Sequence, residues 1–129
     1  PYNPVGKKTD RRKLFTLQNI RIETMKQLAL NYFQAWNAQD ADWLEKLLHI
    51  EVSLQDWEAS ADGIQEVILM NKGIWEKVPN IRAEVISIAE NNDRCMCQLL
   101  IHTGTETLEV VDVLSIYNGA IKHIKAYKG

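Results

Sequence analysis

Apolar residues recur at three- and four-residue steps through Met25, Leu28, Ala29, Tyr32, Phe33 and Trp36. That spacing builds one apolar stripe and predicts a helix over 23–38. Asn37-Ala38-Gln39-Asp40 closes it, and Asp40 is placed to cap a second helix over 41–48 that carries Trp43, Leu44, Leu47 and Leu48. Val52-Ser53-Leu54-Gln55-Asp56-Trp57 then alternates in the manner of a strand. Beyond Asp62-Gly63, the positions of Ile64, Val67, Ile68, Met70, Ile74 and Trp75 predict a third helix over 63–77, stopped by Pro79.

From there the period changes. Residues 81–90, 94–103, 106–117 and 120–127 read as strands rich in Val, Ile, Thr and Tyr, with turn signals at Asn91-Asn92-Asp93, Thr103-Gly104 and Asn118-Gly119. Helices first and a strand meander afterwards predict an α+β domain, with about three helices packed on one face of a curved, mostly antiparallel sheet. Residues 1–24 stand apart. Pro1, Pro4 and Gly6 mark 1–12 as irregular, and 14–22 reads equally as a short helix or an extended segment. The expectation is an N-terminal arm or appendage over 1–24 and a single domain over 25–129.

A length of 129 residues suits one domain with its own core. The net charge of −2 offers no general attraction to nucleic acid or an anionic membrane, and the basic run Lys7-Lys8…Arg11-Arg12-Lys13 reads as a solvated arm. No apolar run approaches the ~20 residues of a membrane span, and no signal-peptide core is visible, so a cytoplasmic protein is expected. Cys95 and Cys97 fall on one face of a strand, where they cannot form a normal disulfide with each other. His49, His102 and His123 show no ligand spacing. Neither a metal nor a cofactor is expected.

Three polar residues sit in apolar company. Along the strand, Asp112 shares its face with Val110, Leu114 and Ile116, an aliphatic face that should point inward. A carboxyl there loses hydration, which favours the protonated, hydrogen-bond-donating form. Asp56 shares the face of Val52 and Leu54, and Tyr32 lies within the apolar stripe of the first helix. Each also has a plainer reading. Tyr32 could be a core residue with a peripheral hydroxyl, Asp56 a residue that turns the chain, and Asp112 a structural carboxylate bonded to a neighbour.

Taken in register, the three resemble the ketosteroid isomerases. These belong to the nuclear-transport-factor-2-like (NTF2-like, cystatin-like) superfamily, which also contains the SnoaL-like polyketide cyclases. Tyr32-Phe-Gln-Ala-Trp-Asn-Ala-Gln-Asp40 is similar to the first helix and turn of that family, beginning at its oxyanion tyrosine. Gln55-Asp56 falls on the family's Glu-Asp without a gap, and Glu109-Val-Val-Asp112-Val-Leu-Ser-Ile resembles the strand of its protonated Asp. Ile124-Lys-Ala-Tyr127 resembles the last strand. The sequence departs from the pattern in three places. Trp57 stands where a proline usually follows the base, Asn71 where a supporting tyrosine is often found, and the loop after Asp56 is short.

The resemblance implies a cone-shaped fold and proton transfer on a small hydrophobic ketone or enone. Asp56 would be the base, with Tyr32 and protonated Asp112 binding the dienolate oxygen. Trp36, Leu54, Trp57, Met70, Trp75, Val110 and Leu114 are expected to line the pocket. Two other functions stay open: a SnoaL-like cyclase or hydratase, and a non-catalytic small-molecule-binding module. A homodimer through the outer sheet face is expected by analogy. Apolar residues on both faces of the strands 94–103 and 106–117 point the same way.

Overall fold

In the structure, a computed structural model that describes residues 25–129, the first described element is helix α1 over 25–37; the arm expected over 1–24 lies outside the described residues. Helix α1 ends because Gln39 takes φ of 53°, and Asp40 N–H then reaches back to the Ala35 carbonyl at 3.0 Å while Gln39 N–H reaches Trp36 at 3.0 Å. This pair of bonds satisfies the carbonyls left open at a helix C-terminus. The same Asp40 starts helix α2, Ala41–Leu47, its carboxylate accepting from Trp43 N–H at 3.0 Å. One residue therefore serves both helix ends and sets a sharp corner between them.

Strand β1 (Leu48–Gln55) follows α2 directly, and the short β2 (Ser60–Asp62) turns back against it. Helix α3 spans Ile64–Lys77. The strands β3 (Arg82–Asn91), β4 (Arg94–His102), β5 (Thr107–Tyr117) and β6 (Ala120–Lys128) form an antiparallel meander. The β5–β6 turn has Asn118 at φ 52° and Gly119 at φ 77°, the two positive values a tight hairpin turn demands. The six strands of the described residues lie in the order β2-β1-β6-β5-β4-β3, curved but unclosed.

Two features differ from the sequence reading. The first strand starts at Leu48, so Leu48 belongs to the sheet and not to the second helix, and Ser60–Asp62 forms a strand where a loop was expected. The pairing of β1 with β6 is parallel, which closes the long connection between the helical half and the meander. The core fills the concave side. Leu99, Leu114, Ile121 and Ile124 of the sheet meet Leu28, Ala29 and Phe33 of α1 and Val67 and Trp75 of α3. Among the described residues, no strand pairs with the outer side of β3. There the Asn37 amide donates to the Ala83 carbonyl at 2.8 Å and accepts from the Ala83 N–H at 2.8 Å, tying α1 to the sheet.

Candidate active site

A cavity of about 510 Å³ opens between α1, α3 and the concave sheet face, within the range of small-molecule sites. Tyr32 and Trp36 enter it from α1, one turn apart. Leu54 and Asp56 come from the end of β1, and Val110 and Asp112 from alternate positions of β5. The strand register explains why space remains around Asp112. Its neighbours across β4 and β6 are Cys97 and Ala126, both small.

The fold brings Tyr32, Asp56 and Asp112 to the wall of one cavity. Trp36, Leu54, Trp57, Met70 and Val110 also line it, and Trp57 stands at its mouth with 43% of its surface exposed. Trp75 and Leu114 do not line it. Trp75 packs edge-on to Trp36 at 6.2 Å between ring centres, inside the core. Leu114 is fully buried one pair further along β5, where the helices cover the sheet. Sharing a strand face with Asp112 is thus insufficient, because the cavity reaches only part of that face.

Burial pushes the Asp112 carboxyl up to about 7, and the charge of Asp56 adds to the rise. Burial likewise pushes the Tyr32 phenol far up, helped by the negative potential of Asp112 and then of Cys97. Cys97 is itself pushed up to about 12, first by burial and then by Cys95 and Asp112. All three groups are thus shifted towards their proton-bearing forms, and Tyr32 and Asp112 line the cavity. Among the described residues, neither the Tyr32 hydroxyl nor the Asp112 carboxyl has a protein hydrogen-bond partner, which leaves both open to a ligand.

Asp56 is held differently. It lies just past β1 and not within it, contrary to the strand position expected from the alternation. Its Oδ1 accepts from Glu58 N–H and Ala59 N–H, each at 2.7 Å, and its own N–H donates to the Ala59 carbonyl at 2.9 Å. One oxygen thus builds the turn into β2, leaving Oδ2 for other work.

Asn71 was matched to a residue supporting the tyrosine, but its side chain serves the neighbouring tryptophan. Its Oδ1 accepts from the Trp36 indole N–H at 2.9 Å, and its Nδ2 donates to the Val67 carbonyl at 2.9 Å. This fixes the Trp36 ring that walls the cavity. Sequence reading also missed Gly73, Ile74 and Lys77, which line the cavity together with Met70. Their three- and four-residue steps from Met70 were the available signal. Among the described residues, no group of three or more His, Cys, Asp or Glu could hold a metal ion, and no helix is long and apolar enough to cross a membrane.

With this geometry in place, comparison with known proteins is informative. Residues 29–124 match the SnoaL-like domain model. No curated protein matches the chain. Among solved structures, a SnoaL-like protein of unknown function from Burkholderia thailandensis superposes with a TM-score of 0.74 at 14% identity, covering 83% of this chain and 96% of that one. A provisionally named ketosteroid isomerase from Kribbella flavida gives 0.74 at 17%, covering 83% and 78%. A protein of ketosteroid isomerase-like fold from Catenulispora acidiphila, solved with trimethylamine, gives 0.71 at 12%, covering 78% and 83%. At such identities the likeness is one of fold.

Proposed function

The chain belongs to the SnoaL-like domain family, and from that premise we propose that its cavity performs proton transfer on a small hydrophobic ketone or enone. The observation that supports this reading is that Tyr32 and Asp112, both shifted by burial towards their protonated forms, line one apolar cavity without protein partners among the described residues. A ketone oxygen placed between them gains negative charge as a proton leaves its α carbon. Hydrogen bonds aimed there strengthen as the charge develops. Asp56 uses Oδ2 to take the α proton and returns it further along the conjugated system. Its other oxygen, bound to two backbone amides, keeps the carboxylate from rotating.

The test is titration with equilenin, a phenolic mimic of the dienolate, followed by fluorescence in wild type, Tyr32→Phe and Asp112→Asn. Binding weakened in both variants is expected, together with turnover of a β,γ-unsaturated ketone that Asp56→Asn abolishes. Equal affinity in all three proteins would remove the oxyanion site from the account.

One observation favours a second reading, a non-catalytic binding module. Both hydrogen bonds of Asp56 Oδ1 go to its own turn, as they would in a residue kept only to shape the chain. Asp56→Asn separates the two, since the amide oxygen still accepts from the turn while the base is gone. Unaltered ligand affinity with no turnover in wild type supports the module. A cyclase or hydratase using the same carboxylate is distinguished by its products in a substrate screen.

The protein is further inferred to act as a homodimer through the convex sheet face. Val111 and Tyr127 are cross-strand neighbours there and stay 37% and 50% exposed. A monomer in sedimentation at micromolar concentration refutes this.

A further inference from the structure

Helix α3 forms one wall of the cavity. It begins beside β2 and leads, through Val78 to Ile81, into β3 at the opposite edge of the sheet. Met70, Gly73, Ile74 and Lys77 face the cavity along one side of this helix, a run of about 10 Å at the usual rise. One of these positions is unexpected for a helix chosen for stability alone, and another carries the cavity's positive charge.

Gly73 sits in the helix interior, where glycine costs roughly 1 kcal/mol relative to alanine. A Cβ added there would meet no atom within 4 Å. Packing therefore does not require the glycine, and its effect is to leave a notch in the cavity wall. Lys77 is the single cation among the described residues that line the cavity, and it has no ion-pair partner among them. The acidic lining residues Asp56 and Glu58 stand at the β1 side of the mouth, while Lys77 stands at the β3 side. Strands β6, β5 and β4 lie between those sides. Lys128, the other cation near the mouth, rests over the Trp57 ring at 5.8 Å.

We propose that Lys77 is an outer binding residue for the carboxylate of an elongated ligand whose apolar body lies in the Gly73 notch and whose carbonyl end reaches Tyr32 and Asp112. The inference rests on the proton-transfer reading for the inner end only. The substrate class becomes an apolar keto acid, held at both ends with its body in the apolar part of the cavity. The plainer role of Lys77, complementing the C-terminal end of the α3 dipole, is served by the same charge and does not compete.

The probes are 6-hydroxy-2-naphthoate and its methyl ester, which share the phenol and differ in charge at the far end. Each is titrated by fluorescence into wild type, Lys77→Gln and Lys77→Glu. Wild type should prefer the carboxylate about two- to fivefold, as expected for a solvent-facing ion pair. Lys77→Gln should erase the preference and Lys77→Glu invert it, with ester affinity equal in all three. Gly73→Leu should weaken both probes. Ester binding accompanied by the same carboxylate preference in wild type and Lys77→Glu overturns the outer site and leaves the inner one intact. Failure of either probe to bind any of the proteins overturns the inner reading and this one with it.

Discussion

Asp112→Asn replaces a carboxyl by an amide of the same shape that cannot ionise, which turns the reading of this residue into a stability measurement. The acid has its ordinary value of 3.8 in an open chain and about 7 in the fold. Between those values the folded protein holds a proton that the unfolded chain has released. The wild type is therefore most favoured below about 4, loses stability as the pH climbs to about 7, and levels off above. Linkage puts the whole loss at about 4 kcal/mol, less than half of which has been felt by pH 5. The variant escapes this loss. Its stability relative to wild type should thus improve by about 2–3 kcal/mol between pH 5 and pH 8.

Urea unfolding of both proteins at the two pH values measures the difference, and groups away from Asp112 cancel in the comparison; Asp56, whose charge acts on Asp112, changes with it. The expected gain in stability should accompany a loss of equilenin affinity, since the amide is a weaker donor than a carboxylic acid. Parallel stability curves for the two proteins across pH would refute the reasoning. They would mean that Asp112 is ionised in the fold at neutral pH and that the cavity solvates it.

Two further outcomes concern the scaffold. Asn37→Ala should destabilise the fold by about 2–3 kcal/mol in urea unfolding, because it strands both backbone groups of Ala83 on an edge strand. Gly73→Ala should stabilise by about 0.5–1 kcal/mol, read as a rise in Tm, since the added methyl group meets open space within the helix.

The period of the hydrophobic pattern was enough to place the three helices and the four-strand meander to within a residue or two at every end within the described residues. Local geometry alone sets those periods. Tyr32 and Asp112 were legible for a related reason: each interrupts a regular apolar stripe, and an interruption shows in one dimension. What was not legible depends on partners distant in the chain. The strand Ser60–Asp62 is too short to carry a period, and it exists because β1 offers an edge to pair with. The parallel pairing of β1 with β6 joins segments some seventy residues apart, as in the partnership of Ser53 with His123.

Asp56 shows the divide most clearly. Its alternation with Val52 and Leu54 pointed to the inner face of a strand, yet two backbone amides of the next turn draw it out of the strand and fix one of its oxygens. Trp75 and Leu114 carry the right periodicity for pocket residues but are covered by packing, whereas Gly73 and Lys77 carry no apolar signal and line the cavity. The sequence by itself determined which faces turn inward, because burial follows the local repeat. Only the tertiary structure decided where the interior stays hollow, because a cavity is the volume that several elements, each correctly packed, leave unfilled between them.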